Sequence, residues 1–282
     1  MNDIKKINLE IDKIDKIEND HWLNNLEDRK LKELEFHNRD RNKEFVNESK
    51  TSQDTYEKFY GNKKYYSVTK RSFDYVDNWI KENANGKVFL DYACGNGINA
   101  MKASADGAAL SLGFDISDVS VKNAREDAIN QNLSDIRFFQ ADAENTLLPD
   151  NSIDSIICCG MLHHLDLSYA FPELRRILKP GGKILAVEAL DYNPLIKLYR
   201  YLTPDMRTEW EKAHILSLKD LKFASHFLTV QNVNYWHVIG YIGGKFKRLK
   251  TITEAADKML EKIPFVQKMA WIFTFELSKP IE

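Results

Sequence analysis

The stretch Val88-Phe-Leu-Asp91-Tyr-Ala-Cys94-Gly95-Asn-Gly97-Ile-Asn-Ala100 constrains this chain more than any other. An apolar run leads through an acid into two glycines one residue apart, and a helical pattern follows, which predicts strand, tight turn and helix. Glycine opens backbone conformations closed to other residues, and a helix start offers free N–H groups to a bound molecule. The next apolar run, Ala108 to Phe114, ends in Asp115, eighteen positions after Gly97. An acid at the carboxyl end of the neighbouring parallel strand can accept hydrogen bonds from both hydroxyls of a ribose. The pattern points to a nucleoside.

Gly95-Asn-Gly97-Ile-Asn-Ala100 also fits the dinucleotide fingerprint, so the glycines alone leave a nicotinamide cofactor open. Three further stretches narrow the choice: Phe138-Phe-Gln-Ala-Asp142-Ala-Glu, Asp154-Ser-Ile-Ile-Cys-Cys-Gly160-Met-Leu-His-His164 and Leu178-Lys-Pro-Gly-Gly182-Lys-Ile-Leu-Ala-Val-Glu188. Together with the glycine turn, and in this order, they resemble the motifs of the class I S-adenosylmethionine (SAM) methyltransferases over roughly residues 86–190. Ala93 stands where that family often has its first glycine. The resemblance implies a doubly wound, Rossmann-like sheet of seven strands with an antiparallel last strand. It also implies that SAM lies among Asp91, Ala93, Gly95, Gly97, Asp115, Ile116, Asp142, Ala143 and Cys159, with Asp115 on the ribose and Asp142 on the adenine.

The chemistry of the turn agrees with the resemblance. SAM carries no phosphate, and Asp91 to Ala100 contains no basic residue to neutralise one. The Gly-Lys-Ser/Thr of a phosphate loop is absent from it. Tyr-x-x-x-Lys pairs at Tyr60/Lys64 and Tyr66/Lys70 precede the glycine turn, on the wrong side for a short-chain dehydrogenase.

A chain of 282 residues, 43% hydrophobic, can bury a large core, and a net charge of −2 gives no global attraction to nucleic acid. No apolar stretch approaches the roughly 18 residues of a spanning helix, and Met1-Asn-Asp-Ile-Lys-Lys lacks the apolar core of a secretion signal, so cytoplasm is the expected compartment. Three cysteines and scattered histidines show no zinc or disulfide spacing, so no metal is expected.

Three regions follow. Residues 1–85 read as a helical extension and lid, 86–190 as the SAM-binding core, and 191–282 as a helical cap with the last two strands. In the first, Ile4, Ile7, Ile11 and Ile14 form one helical stripe, read either as packing on the domain or as a self-association face. Glu35, His37, Asn38 and Arg41 are lid candidates. Tyr65 and Tyr66, in an aromatic cluster before the first strand, are candidate cofactor or substrate contacts. Ser117 is expected to cap a helix with Val121, Ala124, Ala128 and Ile129 on one face. In the last region, Trp236 to Lys250 couples an apolar segment to a basic one, as either a buried helix with a solvated end or a peripheral membrane contact.

The cofactor implied by the resemblance supplies an activated methyl carbon, and a base is needed only when the acceptor must lose a proton. His163 and His164, in the loop after the fourth strand, are the candidates, since histidine can take a hydroxyl proton near neutral pH. The expected activity is methyl transfer to a small organic acceptor at oxygen. Nitrogen or carbon methylation, a nicotinamide oxidoreductase and a catalytically silent partner-binding subunit are the alternatives.

Overall fold

The computed structural model describes residues 3–281. Among them β1 (Val88–Tyr92), β2 (Leu110–Asp115), β3 (Ile136–Gln140), β4 (Ile153–Cys159), β5 (Leu178–Ala189), β6 (Thr229–Trp236) and β7 (Ile272–Ser278) form one sheet. Its spatial order is β3-β2-β1-β4-β5-β7-β6. The first five strands pair in parallel, and β7 runs antiparallel to both β5 and β6. The expected doubly wound α/β sheet with an antiparallel last strand is therefore present.

Alternation across the pleat builds a core on each face. Val88, Leu90 and Tyr92 enter one apolar cluster with Leu112, Phe114 and Phe139. Phe89 enters the other with Ile157, Leu185 and Trp79. Both faces of β1 are covered, which is why its sequence reads as a continuous apolar run rather than as an alternation.

Among the described residues six α-helices precede the sheet: α1 (Asp3–Ile14), α2 (Asn19–Asn25), α3 (Asp28–Arg41), α4 (Lys43–Ser49), α5 (Gln53–Tyr60) and α6 (Lys70–Ala84). The α1 stripe is spent within its own chain: Ile7, Ile11 and Ile14 are buried in the same cluster as the strand side chains. Each such burial is worth roughly 1.5–3 kcal/mol, more than a half-exposed ion pair such as that of Arg137 in β3 with Asp12. The stripe is thus not a free face for a second copy.

α7 (Ile98–Ala105) follows β1, α8 (Asp118–Asn130) follows β2, and α9 (Leu167–Ile177) follows β4. Ser117 caps α8 by accepting from Ser120 N at 3.0 Å, and Val121, Ala124 and Ala128 are buried as expected. Ile129 is not: at 74% exposure it faces solvent, because one helical step of about 100° carries it off the Ala128 face.

α10 (Pro194–Leu202), α11 (Glu209–Ala213) and α12 (Leu218–Ala224) lie between β5 and β6, while α13 (Gly240–Lys245) and α14 (Lys250–Leu260) lie between β6 and β7. α13 is pinned by small residues: a Cβ on Gly243 would meet Thr253 Oγ1 at 2.6 Å, and one on Gly244 would meet the Tyr65 backbone at 3.0 Å. Beyond it Phe246 and Leu249 are exposed beside Lys247 and Arg248. No helix among the described residues is long and apolar enough to cross a membrane.

Candidate active site

The strand order reverses beside β1, and a crevice is expected there at the carboxyl ends of the strands. A cleft of about 140 Å³ occupies that place. Ala93 and Gly95 line it from the turn after β1, Asp115 and Ile116 from the end of β2, Asp142 and Ala143 from beyond β3, and Cys159 from the end of β4. Seven of the predicted cofactor residues are thus brought together.

The turn keeps its shape through left-handed backbone at Ala93 (φ 51°), Gly95 (φ 52°) and Gly97 (φ 75°). Asp115 ties it to β2: Oδ2 accepts from Gly95 N at 2.8 Å and Oδ1 from Ser117 N at 2.9 Å. Burial pushes the Asp115 carboxyl above the usual carboxylate range, against these two donors.

Two of the predicted contacts around the turn, Asp91 and Gly97, sit elsewhere. Asp91 does not line the cleft; pleat alternation turns it to the α7 side, where its carboxylate accepts from Ala100 N at 3.2 Å. Gly97 lies behind the turn with the Phe138 ring and Ala124 against it. Both shape the site from beneath rather than lining it.

Burial pushes the Asp91 carboxyl up to about 7. The folded chain then holds this proton between about pH 4 and 7 while the unfolded chain releases it, so rising pH through that window disfavours the fold. The expected loss is on the order of 4 kcal/mol from this group alone. Urea unfolding of the native chain at pH 5 and pH 7.5 should show about 2–3 kcal/mol of that loss, the rest falling below pH 5, and Asp91→Asn should shrink it. An equal drop in the variant would assign the pH dependence to other groups.

α3 lies across the cleft. Lys30 Nζ is 2.6 Å from Asp142 Oδ2, and Arg29 makes two contacts to Glu144 at 2.6 and 2.7 Å. Asn38 donates to Asp118 at 2.8 Å, and the Arg41 guanidinium lies against Gly95. Of the four lid candidates, His37, Asn38 and Arg41 meet the core. Glu35 is exposed, and the acid turned inward on this helix is Glu33.

The chemistry of the cleft suits a phosphate-free nucleoside. Its floor offers carboxylates, two glycines and apolar side chains from the strand ends, and its cations Arg29, Lys30 and Arg41 all come from α3. Asp115 and Asp142 can accept from neutral hydroxyl and amino groups, whereas a pyrophosphate would meet both carboxylates.

A second cavity of about 290 Å³ adjoins β5 and the cap. Tyr65 and Tyr66 line this one rather than the cleft, because the turn carrying them packs on α13. Their rings meet Tyr199 and Trp271 edge-on, each pair 5.3 Å apart. His163 lines this cavity and His164 lines the cleft, their rings 4.3 Å apart. The two histidines therefore stand where the two spaces approach each other.

Each histidine has a carboxylate partner that sequence spacing did not reveal. Glu188, near the end of β5, is almost fully buried; it accepts from Met161 N and Leu162 N at 2.9 and 2.8 Å, and lies 2.6 Å from His163 Nδ1. An ionised Glu188 keeps the proton on Nδ1 and leaves Nε2 with a free lone pair. His163 Nε2 is 4.0 Å from Glu211. His164 Nδ1 lies 2.9 Å from Glu33 Oε2. Burial opposes charge on His164, yet its hydrogen bond to Glu33 and the field of Glu211 raise its pKa. The neighbouring His37 is held well below the usual range by burial and then by His164. Glu33, His37 and His164 thus form a compact group, their ligand atoms within 4.8 Å of one another, although linear spacing suggested no such cluster.

Residues 90–186 match the family described as a methyltransferase domain. The chain is 35% identical over 109 residues to a ubiquinone/menaquinone biosynthesis C-methyltransferase from Marinomonas, covering 36% of this chain and 43% of that protein. It is 27% identical over 157 residues to a ubiquinone biosynthesis O-methyltransferase from Neisseria meningitidis, covering 52% and 65%. The chain spans somewhat less than half of the length of most such relatives, 43% to 48% for the C-methyltransferases. A geranyl diphosphate C-methyltransferase from Streptomyces coelicolor shares the fold with TM-score 0.56 at 14% identity, over 77% of this chain and 83% of that one. Matched motifs, strand order and a cleft at the reversal point agree that residues 90–186 are similar to methyltransferase domains, and the fold around them resembles that of class I methyltransferases, which use S-adenosylmethionine as cofactor.

Proposed function

We propose that this chain methylates a small organic acceptor at a hydroxyl oxygen, with His163 as the general base. The observation that carries the reading is the His163–Glu188 pair at 2.6 Å, set on the wall of the larger cavity next to the cleft. When bound, the cofactor supplies an activated methyl carbon for in-line displacement. Asp115 and Asp142 hold its ribose and adenine, Gly95 allows close approach of the turn, and Ile116, Ala143 and Cys159 complete the walls.

The remaining work falls to the second cavity. Tyr65, Tyr66 and Trp271 enclose the acceptor and exclude water. His163 Nε2 takes the hydroxyl proton, and Glu188 fixes the ring and stabilises the imidazolium that forms. A nitrogen acceptor with a free lone pair has less use for this pair, which is why oxygen is preferred. Carbon methylation of a phenolic ring also begins with loss of a hydroxyl proton, so the product decides between them. Incubation with methyl-13C-labelled cofactor and a panel of phenols and hydroxy acids, followed by NMR of the product, is expected to show a methoxy group. A ring methyl or N-methyl product would overturn the oxygen assignment, and no transfer to any acceptor in the panel would count against a hydroxyl acceptor of these classes.

A further inference from the structure

Building on the methyltransferase reading, the larger cavity also carries information about its acceptor. Most of its wall is apolar or aromatic, with Leu195 and Ile196 from α10, Met206, Tyr241 and Trp271 among the contributors. Into the same space reach two arginines, Arg200 at the end of α10 and Arg207 in the loop before α11. Guanidinium groups in an apolar wall are costly to desolvate unless they meet anions.

Arg207 is well supplied. It donates to Thr203 O at 3.0 Å and to Thr203 Oγ1 at 3.2 Å, and its Nε lies 3.4 Å from Glu211. Arg200 is not. Its side chain is 12% exposed, and its polar contact among the described residues is one Asp191 oxygen at 3.4 Å. Asp191 is already paired with Lys197 at 2.9 Å. Five N–H donors thus share one long contact to a carboxylate that another cation holds closely. Burial, and then the nearby Arg207, push the Arg200 pKa down to about 10, against the opposing fields of Asp191 and Glu211.

Charges on the wall lean the same way. Arg200, Arg207 and Lys245 line the cavity against Glu211, leaving a cationic excess. A purely structural role for Arg200, tying α10 to Asp191, would put a close ion pair there; the observed pair is the longer of the two on Asp191.

We propose that Arg200, flanked by Arg207, is an anion seat in the acceptor cavity, and that the acceptor is an amphiphile with an apolar or aromatic body and one carboxylate or phosphate group. The tyrosine and tryptophan walls take the body, and the guanidiniums fix its polar end, which sets which hydroxyl faces His163.

Calorimetric titration of the full chain, saturated with S-adenosylhomocysteine, tests the seat with three probes of matched chain: octanoate, octyl phosphate and 1-octanol. At least one anion is expected to bind about tenfold or more tightly than the alcohol. The tighter of the two anions tells carboxylate from phosphate. Arg200→Gln is expected to abolish the preference and Arg200→Lys to keep part of it, with S-adenosylhomocysteine affinity unchanged in both as evidence of an intact fold. Equal affinity for the three probes, binding of none, or a preference that survives Arg200→Gln overturns the seat. Affinity of the native chain for S-adenosylhomocysteine is measured first without amphiphile. Its failure would count against the methyltransferase reading, whereas the probe preference answers separately for the anion seat.

Discussion

Replacing His163 by alanine should lower kcat by roughly a hundred- to ten-thousand-fold, the range associated with a positioned general base. The cofactor cleft is lined by His164 rather than by His163, so affinity for S-adenosylhomocysteine should change little. The deficit should narrow as pH rises through the acceptor hydroxyl's own pKa, because an ionised oxygen needs no base. Glu188→Gln keeps a side chain of the same size at the end of β5 but removes the charge that orients the ring, so its loss should be smaller than that of His163→Ala. Initial rates over a pH series check both. A variant whose deficit is constant with pH would reduce His163 to a structural member of its loop.

Gly97→Ala should be the most damaging small substitution in the core. The residue has φ 75°, a left-handed conformation that costs an L side chain about 1–2 kcal/mol. Its new Cβ would also stand 3.1 Å from Ala124 Cβ and closer still to the Phe138 ring, between α8 and β3. Phe138 is 3% exposed, so its ring has little room to withdraw. Overpacking of this kind adds about 1–3 kcal/mol, and the sum, about 2–5 kcal/mol, should appear as a lower urea midpoint with an unchanged slope. Gly160→Ala is the comparison, since its φ of 64° carries a similar backbone cost but its Cβ would meet nothing within 4 Å. Equal losses in the two variants would remove the packing term from the explanation.

The parts of this molecule that could be read from its sequence are those fixed by local pattern. Strands buried on both faces appear as apolar runs, so β1, β2 and β4 stand out, and the acids that end or follow strands, Asp115 and Asp142, mark the cleft. Asp91 is placed by a local rule as well. It precedes the turn by a few residues, but the pleat points it to the α7 side. Glu188 went unrecognised as the partner of His163 because the two are 25 positions apart and meet only when β4 and β5 pair. An acid near the end of the strand beside a histidine loop is a signal that could have found it.

The lid is harder still. Arg29, Lys30 and Glu33 reach residues more than a hundred positions away, and nothing in their own helix separates them from a solvated face. Glu35, two residues along, looks the same in sequence and lies outside. Tyr65 and Tyr66 stand out in sequence as an aromatic pair, but which pocket they line depends on α13, whose Gly244 admits the Tyr65 backbone.

The claim on which the rest depends is that the cleft at the β1 reversal point binds an adenosyl cofactor through Asp115. Isothermal titration of the full chain with S-adenosylhomocysteine and, separately, NADH tests it most directly, with Asp115→Ala alongside. S-adenosylhomocysteine should bind and NADH should not, and the variant should lose about 1–3 kcal/mol of affinity through the missing charged acceptor. Binding of NADH alone, or an S-adenosylhomocysteine affinity unchanged in Asp115→Ala, would contradict the account.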